Sequence, residues 1–477
     1  EDCISNVTVS YVCDVRRRIT GFSHRIVSAR FVWVDRVLGG PYYEVVANDT
    51  INGRPLVYLY DASNVTVSGA GEVVAVDSRG VKVVGANVSY ATVGIQFWDV
   101  NDSIIEDVVA SDNELVGINI TGSYNSVVDS TLNGSSVVIT GSHNSIVNST
   151  LSGSWAGAII TGDYNSVVDS TVSHNEYGVR INGSYDSVVN STLSNNSRDG
   201  VRITGSHDIV VDSTLSGNEW NGVAIVAGSN DSVVVDSTLT DNGDGIIIVG
   251  YNDSVVDTTL SGNWVGVAIV AGSYDSVVNS TLSGNHYYGI ALYGDSGTLV
   301  TGNIISNNDL CGLYMNGSRG DLIYNNLFNN TINVCIESGY ARWNVNLRPG
   351  KNIVGGDVIG GNAWLSPNGT GFSQVTPASP SDPYICDKPY VINANNTDYL
   401  PLKYPPATTS TITTTTTTTS TATTTTTSTT TTTTTTTTVT TTSTSTTSST
   451  TSTTTTTTAT TTTSATATAT TSTTSST

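Results

Sequence analysis

The sequence predicts an all-β solenoid, a stack of short parallel strands wound into coils, followed by a low-complexity tail. Three observations predict it. Residues 104–327 repeat one pattern about every 22 residues: a Val-Val pair, Asp or Asn, Ser-Thr-Leu, a polar turn, Gly, then a second apolar run. Copies include Ser126-Val127-Val128-Asp129-Ser130-Thr131-Leu132 and Ser187-Val188-Val189-Asn190-Ser191-Thr192-Leu193. Val, Ile and Thr dominate the repeat while Gly and Asn punctuate it, which favours short strands and tight turns over helices. From Ala407 to Thr477 the chain is almost only Thr and Ser, without a charged residue, so that segment has too few apolar side chains from which to build a core.

The elements follow in chain order. Residues 1–60 are expected to cap one end, residues 61–335 to form the coils, residues 336–406 to form a C-terminal cap region, and residues 407–477 to form a stalk or assembly tail. The first apolar residues of successive copies are Ile104, Val127, Ile146, Val167, Val188, Val210, Val234, Val255, Val277, Leu299 and Leu322, taken as pointing inward. A second inward column runs Leu132, Leu151, Val172, Leu193, Leu215, Leu239, Leu260, Leu282, Ile304 and Leu327. A glycine column, Gly157, Gly178, Gly200, Gly222, Gly245, Gly266, Gly289 and Gly312, marks a corner that needs a positive φ or a close backbone approach. Ser130, Ser149, Ser170, Ser191, Ser213, Ser237, Thr258 and Ser280 read as a hydroxyl ladder in which side chains bond one another along the axis. About twelve coils at ~4.8 Å each give a rod of roughly 55–60 Å, with end strands open to pairing.

Composition restricts partners and place. The net charge of −21 argues against nucleic acid. No run of 18 apolar residues exists, so no transmembrane segment is expected. The chain begins at Glu1 rather than Met, as expected after removal of a signal peptide or for a fragment. N-x-S/T sequons occur at Asn6, Asn48, Asn64, Asn87, Asn101, Asn119, Asn133, Asn148, Asn182, Asn190, Asn195, Asn230, Asn252, Asn279, Asn316, Asn329, Asn368 and Asn395. An Asn/Ser/Thr-rich repeat makes some of these by chance, but the Thr/Ser tail is a second glycosylation-type signal, and together they favour the cell exterior and covalent glycans. Of the five cysteines, Cys3 and Cys13 are candidates to close an N-terminal loop, and Cys335 and Cys386 to pin the C-terminal region to the last coils. An odd count leaves one thiol over. With no C-x-x-C and no clustered histidines, neither a metal site nor a cofactor is expected.

Candidate chemistry is sparse. The corner column Asp129, Asn148, Asp169, Asn190, Asp212, Asp236, Asp257 and Asn279 presents carboxylates in near-identical contexts, whereas an active site needs one distinctive place. Arg180 and Arg202 take equivalent outward positions on adjacent coils, with Glu176, Asp199 and Glu219 as expected ion-pair partners. Two aromatic stripes, Tyr124, His143, Tyr164, Tyr185, His207 and Tyr274, and Trp155, Tyr177, Trp220, Trp264 and Tyr288, are expected to stack along the axis, with sugar binding as the alternative. No phosphate loop, G-x-S-x-G or Cys/His nucleophile arrangement is present, and no catalytic residue is expected.

These repeats, with Asn52-Gly53-Arg54-Pro55-Leu56-Val57-Tyr58, Gly94-Ile95-Gln96, Gly360-Gly361-Asn362-Ala363-Trp364 and Asn396-Thr397-Asp398-Tyr399-Leu400-Pro401-Leu402, resemble the right-handed parallel β-helix repeat family, in particular archaeal NosD-like cell-surface proteins, over roughly 50–403. The resemblance implies a right-handed parallel β-helix. Relatives often carry an Asp-rich, calcium-like run before a Gly-x-Cys-Asp element, but at 377–387 the alternating carboxylates are missing. A link to copper-enzyme maturation, which the family also implies, meets a single Met, Met315, and no Met/His/Cys cluster. The expected function is a non-enzymatic, heavily glycosylated extracellular structural protein that self-assembles head-to-tail into a surface filament or coat. The alternatives are a polysaccharide-binding adhesin or a β-helix polysaccharide lyase or hydrolase.

Overall fold

The computed structural model describes residues 50–226 and 231–404, and, within a separate unit of residues 408–477, a two-residue antiparallel pairing of Thr425–Thr426 with Thr471–Ser472. Expectations placed on residues 1–49, 227–230 and the rest of the tail lie outside the described residues, among them Cys3, Cys13, Asn6, Asn48 and Asn230.

The fold is a right-handed parallel β-helix in which each coil contributes three short strands. In one coil these are Ser166–Val168, Thr171–Ser173 and Tyr177–Ile181; the next repeats them as Ser187–Val189, Thr192–Ser194 and Val201–Ile203. The second strands stack into one twelve-stranded parallel sheet, which sets the coil number. Register is residue for residue: Val188 pairs with Val167 and Val210, and Leu193 with Val172 and Leu215. Parallel stacking starts at Arg54–Tyr60, inside the expected N-terminal cap, and its last second-strand rung is Ala363–Leu365, inside the expected C-terminal cap region.

Period-2 alternation sends one residue of each three-residue strand inward, so Val127, Leu132 and Ile139 are fully buried in a single core that runs the length of the stack. Four inward assignments shift by one residue, with a fifth, Leu322, following its partner. Ile105, Val300, Ile305 and Phe328 are buried where Ile104, Leu299, Ile304 and Leu327 were expected, and Ile323 pairs with Val300. In each case two apolar residues are adjacent, so alternation alone fits both readings. The neighbouring coils decide it by pairing Val127 with Ile105 and Leu282 with Ile305.

Polar ladders hold the three corners. At the first, the Ser130 backbone N–H donates to Ser149 Oγ on the next coil at 3.1 Å, while the Ser130 hydroxyl donates to the Val128 carbonyl at 2.9 Å. The ladder therefore runs from backbone amide to hydroxyl, not from hydroxyl to hydroxyl as expected. A buried amide with no strand partner is costly, and the serine supplies its acceptor. The residue before each serine, such as Asp129, Asn148 or Asp169, has a φ near +50° (52°, 48° and 51°). Asn and Asp tolerate that left-handed conformation best after Gly, which explains the Asp/Asn column without catalysis.

The second corner carries a buried asparagine ladder absent from the sequence expectations. Asn196 donates its N–H and its Nδ2 to Asn218 Oδ1 at 3.2 and 2.8 Å, Asn218 repeats this toward Asn242, and Asn218 Nδ2 also reaches the Leu193 carbonyl at 3.2 Å. The glycine column exists because of it. A Cβ on Gly200 would lie 2.7 Å from the Gly222 carbonyl oxygen and 3.0 Å from Asn218 Nδ2, at a backbone conformation open to any residue. Close approach, not positive φ, requires glycine there.

The C-terminal end is closed by side chains. Trp364 stacks on Phe328 at 4.8 Å and donates from Nε1 to Asp398 Oδ2 at 2.9 Å, while Trp343 Nε1 donates to Asn396 Oδ1 at 3.0 Å. The first-corner ladder ends on the same carboxylate, through Asn303, Asn326 and Asn362 to Asp398. The sole disulfide among the described residues joins Cys311 to Cys335; the expected Cys335–Cys386 pairing does not form. Cys311 and Cys335 lie on neighbouring coils of the outward third-strand face, whereas Cys386 is buried as a free thiol against the Leu402 carbonyl.

Candidate functional site

Three surfaces collect the side chains able to do chemistry or carry modification. The first is the set of sequon asparagines. Asn64, Asn133, Asn148, Asn182, Asn190, Asn195, Asn252, Asn279, Asn368 and Asn395 are exposed, and Asn87, Asn101, Asn119, Asn316 and Asn329 are half-buried. None of these described sequon asparagines is buried. Conversely, none of the buried asparagines, from Asn113 through the ladders to Asn396, begins an N-x-S/T triplet. The corner geometry explains part of this. A left-handed Asn148, a ladder Ser149 and a strand-starting Thr150 spell a sequon whenever the corner residue is Asn rather than Asp.

The second surface is the outward face of the third strands. Arg180 and Arg202 are in register on neighbouring coils, as expected. Arg202 Nη1 pairs with Asp199 Oδ2 at 3.1 Å, and Asp199, itself fully buried, also accepts from Asn221 Nδ2 at 2.7 Å. A third guanidinium, Arg198, pairs with Glu176 at 2.9 Å, donates to the Tyr177 hydroxyl at 2.6 Å and lies 4.5 Å over the Trp220 ring. Among the described residues Glu219 joins no ion pair. Among the described residues Arg180 has no acidic partner: its guanidinium lies 4.9 Å from the Trp155 ring and 5.1 Å from the Tyr177 ring, with Nε shielded and without an acceptor. Farther along, Tyr288, Tyr293 and Tyr314 cover Ala268 and Ala291, and burial pushes the Tyr293 phenol up to about 12.

The third is the remaining corner, between third and first strands. Asn125, Asn144 and Asn165 form an amide ladder there, and the same slot is then filled by Asp186, Asp208, Ser232, Asp253 and Asp275. Asp186 Oδ1 accepts the Asn165 N–H at 2.6 Å and its Nδ2 at 3.1 Å. Its Oδ2 is buried without a partner, as are those of Asp208, Asp275 and Asp321. Burial pushes all four carboxyls from 3.8 up to about 7. Sequence reading missed this run; its signal is a polar residue directly before the first strand of each coil, Asn in the first three copies and Asp in most of those that follow.

Five members of the first aromatic stripe stack as expected: Tyr124, His143, Tyr164, Tyr185 and His207 follow one another at 4.7–5.1 Å, face against face, whereas the sixth, Tyr274, meets Tyr251 edge-on. The second breaks into edge-on pairs, such as Trp155–Tyr177, and leaves Trp155, Trp220 and Trp264 about half exposed. His143 and His207 are separated by two tyrosines, Met315 is fully buried, and among the described residues no three His, Cys, Asp or Glu side chains converge to hold a metal. These residues do not fit a copper site. Among the described residues no helix is long and apolar enough to cross a membrane.

The family model described as periplasmic copper-binding protein (NosD) matches residues 36–198 and 170–369. No curated protein matches the chain. Among solved structures, the Dettilon tailspike protein is 14% identical with a TM-score of 0.41, over 47% of this chain and 56% of its own. The mannuronan C-5 epimerase AlgE6 A-module of Azotobacter vinelandii is 15% identical with a TM-score of 0.38, over 61% of this chain and 91% of its own. Pectate lyase Pel9A is 16% identical with a TM-score of 0.32, over 50% and 70%. Likenesses of this strength say nothing about chemistry.

Proposed function

We propose, from the premise that this chain belongs to the NosD family of parallel β-helix proteins, that it is an exported, N-glycosylated structural rod rather than an enzyme or a copper carrier. The observation that carries this is the separation of its asparagines: buried ones build ladders and lie outside sequons, whereas every described sequon stands at the surface. At the corner of Asn148, Asn190 and Asn279 the repeat itself supplies the Ser-Thr of the sequon, but sequons elsewhere, such as those of Asn64, Asn182, Asn368 and Asn395, are exposed too. A glycan on a ladder asparagine is impossible without breaking the coil, whereas one at an exposed corner disturbs only a solvent-facing contact, such as that of Asn148 Nδ2 with Asp129 Oδ1. The rod supplies stiffness and the sugars supply solubility.

Glycopeptide mapping of the native protein tests this. Glycans are expected at the exposed sites, led by the corner positions Asn148, Asn190 and Asn279, with lower occupancy at half-buried Asn119 and Asn329. Unmodified asparagine at all of the exposed sequons would overturn it. Head-to-tail assembly into a filament or coat remains part of the proposal, but the contact would have to use the covered C-terminal end, where Trp343, Trp364 and Tyr390 close the core. Electron microscopy of native material checks it: isolated rods at high concentration would remove the filament and leave the glycosylated rod.

A further inference from the structure

We propose that Arg180, with Trp155 and Tyr177, forms a binding site for a carboxylated saccharide on the outward face of the third strands. The inference is independent of N-glycosylation. Three guanidiniums crowd this face, and two are neutralised by their own carboxylates, Arg202 by Asp199 and Arg198 by Glu176. Arg180 is left over. Along its column the preceding coil offers Ile159 and the following coil Arg202, so no carboxylate is in register on either side.

Its side chain is also held in place. The guanidinium packs against two rings, Nε is desolvated without an acceptor, and the side chain remains half-buried. An arginine fixed against aromatic faces loses little rotamer freedom on binding, and its planar fork matches a carboxylate through two parallel hydrogen bonds. Trp155 is 49% exposed beside it, an apolar surface for the C–H face of a sugar ring. A cation with an aromatic wall fits a sugar acid, and the −21 net charge elsewhere means that a polyanion must be held locally, not by the general field.

The test is calorimetric titration of the full chain with hexagalacturonate, maltohexaose and inorganic sulfate. Hexagalacturonate is expected to bind, and the neutral oligomer and sulfate to bind at least tenfold more weakly, as roughly expected when a charge-assisted bidentate pair is lost. Arg180→Ala should lose about tenfold or more and Trp155→Ala several-fold, while Arg180→Lys, which keeps the charge and removes the fork, should fall between. Arg180→Lys also serves if the alanine variant does not fold, with its thermal midpoint as the check. No hexagalacturonate binding at about 1 mM, equal binding of maltohexaose or sulfate, or unchanged affinity in both Arg180 variants would overturn the site.

Discussion

One corner of the rod is built in two ways. Over Asn125, Asn144 and Asn165 it is an amide ladder, in which each Nδ2 donates to the next Oδ1 and to a backbone carbonyl of the preceding coil, Val100 for Asn125, Gly122 for Asn144 and Gly141 for Asn165. Over Asp186, Asp208 and Asp275 the same slot holds carboxyls that accept through Oδ1 and leave Oδ2 buried and unpartnered. The strand register continues unbroken from one half into the other. What differs is one proton: an amide always has its donor, whereas an acid has one only when protonated. The asparagine half is therefore indifferent to pH and the aspartate half is not.

The largest effect should come from removing a rung. Asn165→Ala leaves the Asn144 N–H and the Gly141 and Gly162 carbonyls without partners. At about 1–3 kcal/mol per unsatisfied buried group, the loss should reach at least 3 kcal/mol at every pH, read by denaturant unfolding. A loss under about 1 kcal/mol would show that water replaces the rung.

The next effect separates the two halves. Burial raises Asp186 and Asp208 from 3.8 to about 7, with each other's charge and that of Asp163 and Asp253 adding to the rise for Asp208. Between those values the folded chain keeps protons that the unfolded chain has released. It binds more protons when native, so its stability falls as pH rises from about 4 to about 7 and levels off above. Asp186→Asn with Asp208→Asn should flatten part of that slope and raise the thermal midpoint at pH 8 by several degrees. Asn165→Asp should steepen it. A parallel pH profile for wild type and double variant would refute the proton account.

The smallest effect is expected at the solvent-facing corner. Asp212 is exposed with φ 51°, and its role is conformational. Asp212→Ala should cost about 1 kcal/mol from the left-handed strain, and Asp212→Gly or Asp212→Asn close to nothing, read by thermal unfolding. An equal loss in all three would mean that the carboxylate itself is needed.

The solenoid was legible because alternation and a repeat near 22 residues act together: Leu132, between Thr131 and Asn133, has one inward choice, and its stacking partner Leu151 repeats it. The glycine column and the serine ladder were legible as positions, and the separation of sequons from the core follows from the same repeat. Legibility failed where local sequence offers two equal answers. Ile104-Ile105 and Leu299-Val300 fit either register, and only pairing with the adjacent coil selects one. It failed again for Asn196, Asn218 and Asn242, since an asparagine in a polar turn segment reads as exposed until the neighbouring coil brings an Oδ1 into reach. Cys335 took Cys311 because consecutive coils place them side by side, a proximity that sequence separation does not express. Arg180 was visible as one of a pair, but that Asp199 serves Arg202 and leaves Arg180 to two rings depends on side chains from three coils. The sequence by itself determined the period, the inward columns and the corner residues, because these rest on alternation and backbone conformation within one coil. Tertiary structure decided the ladders, the disulfide and the unpaired arginine, because each is a contact between coils about 22 residues apart, where stacking alone determines which polar atoms meet.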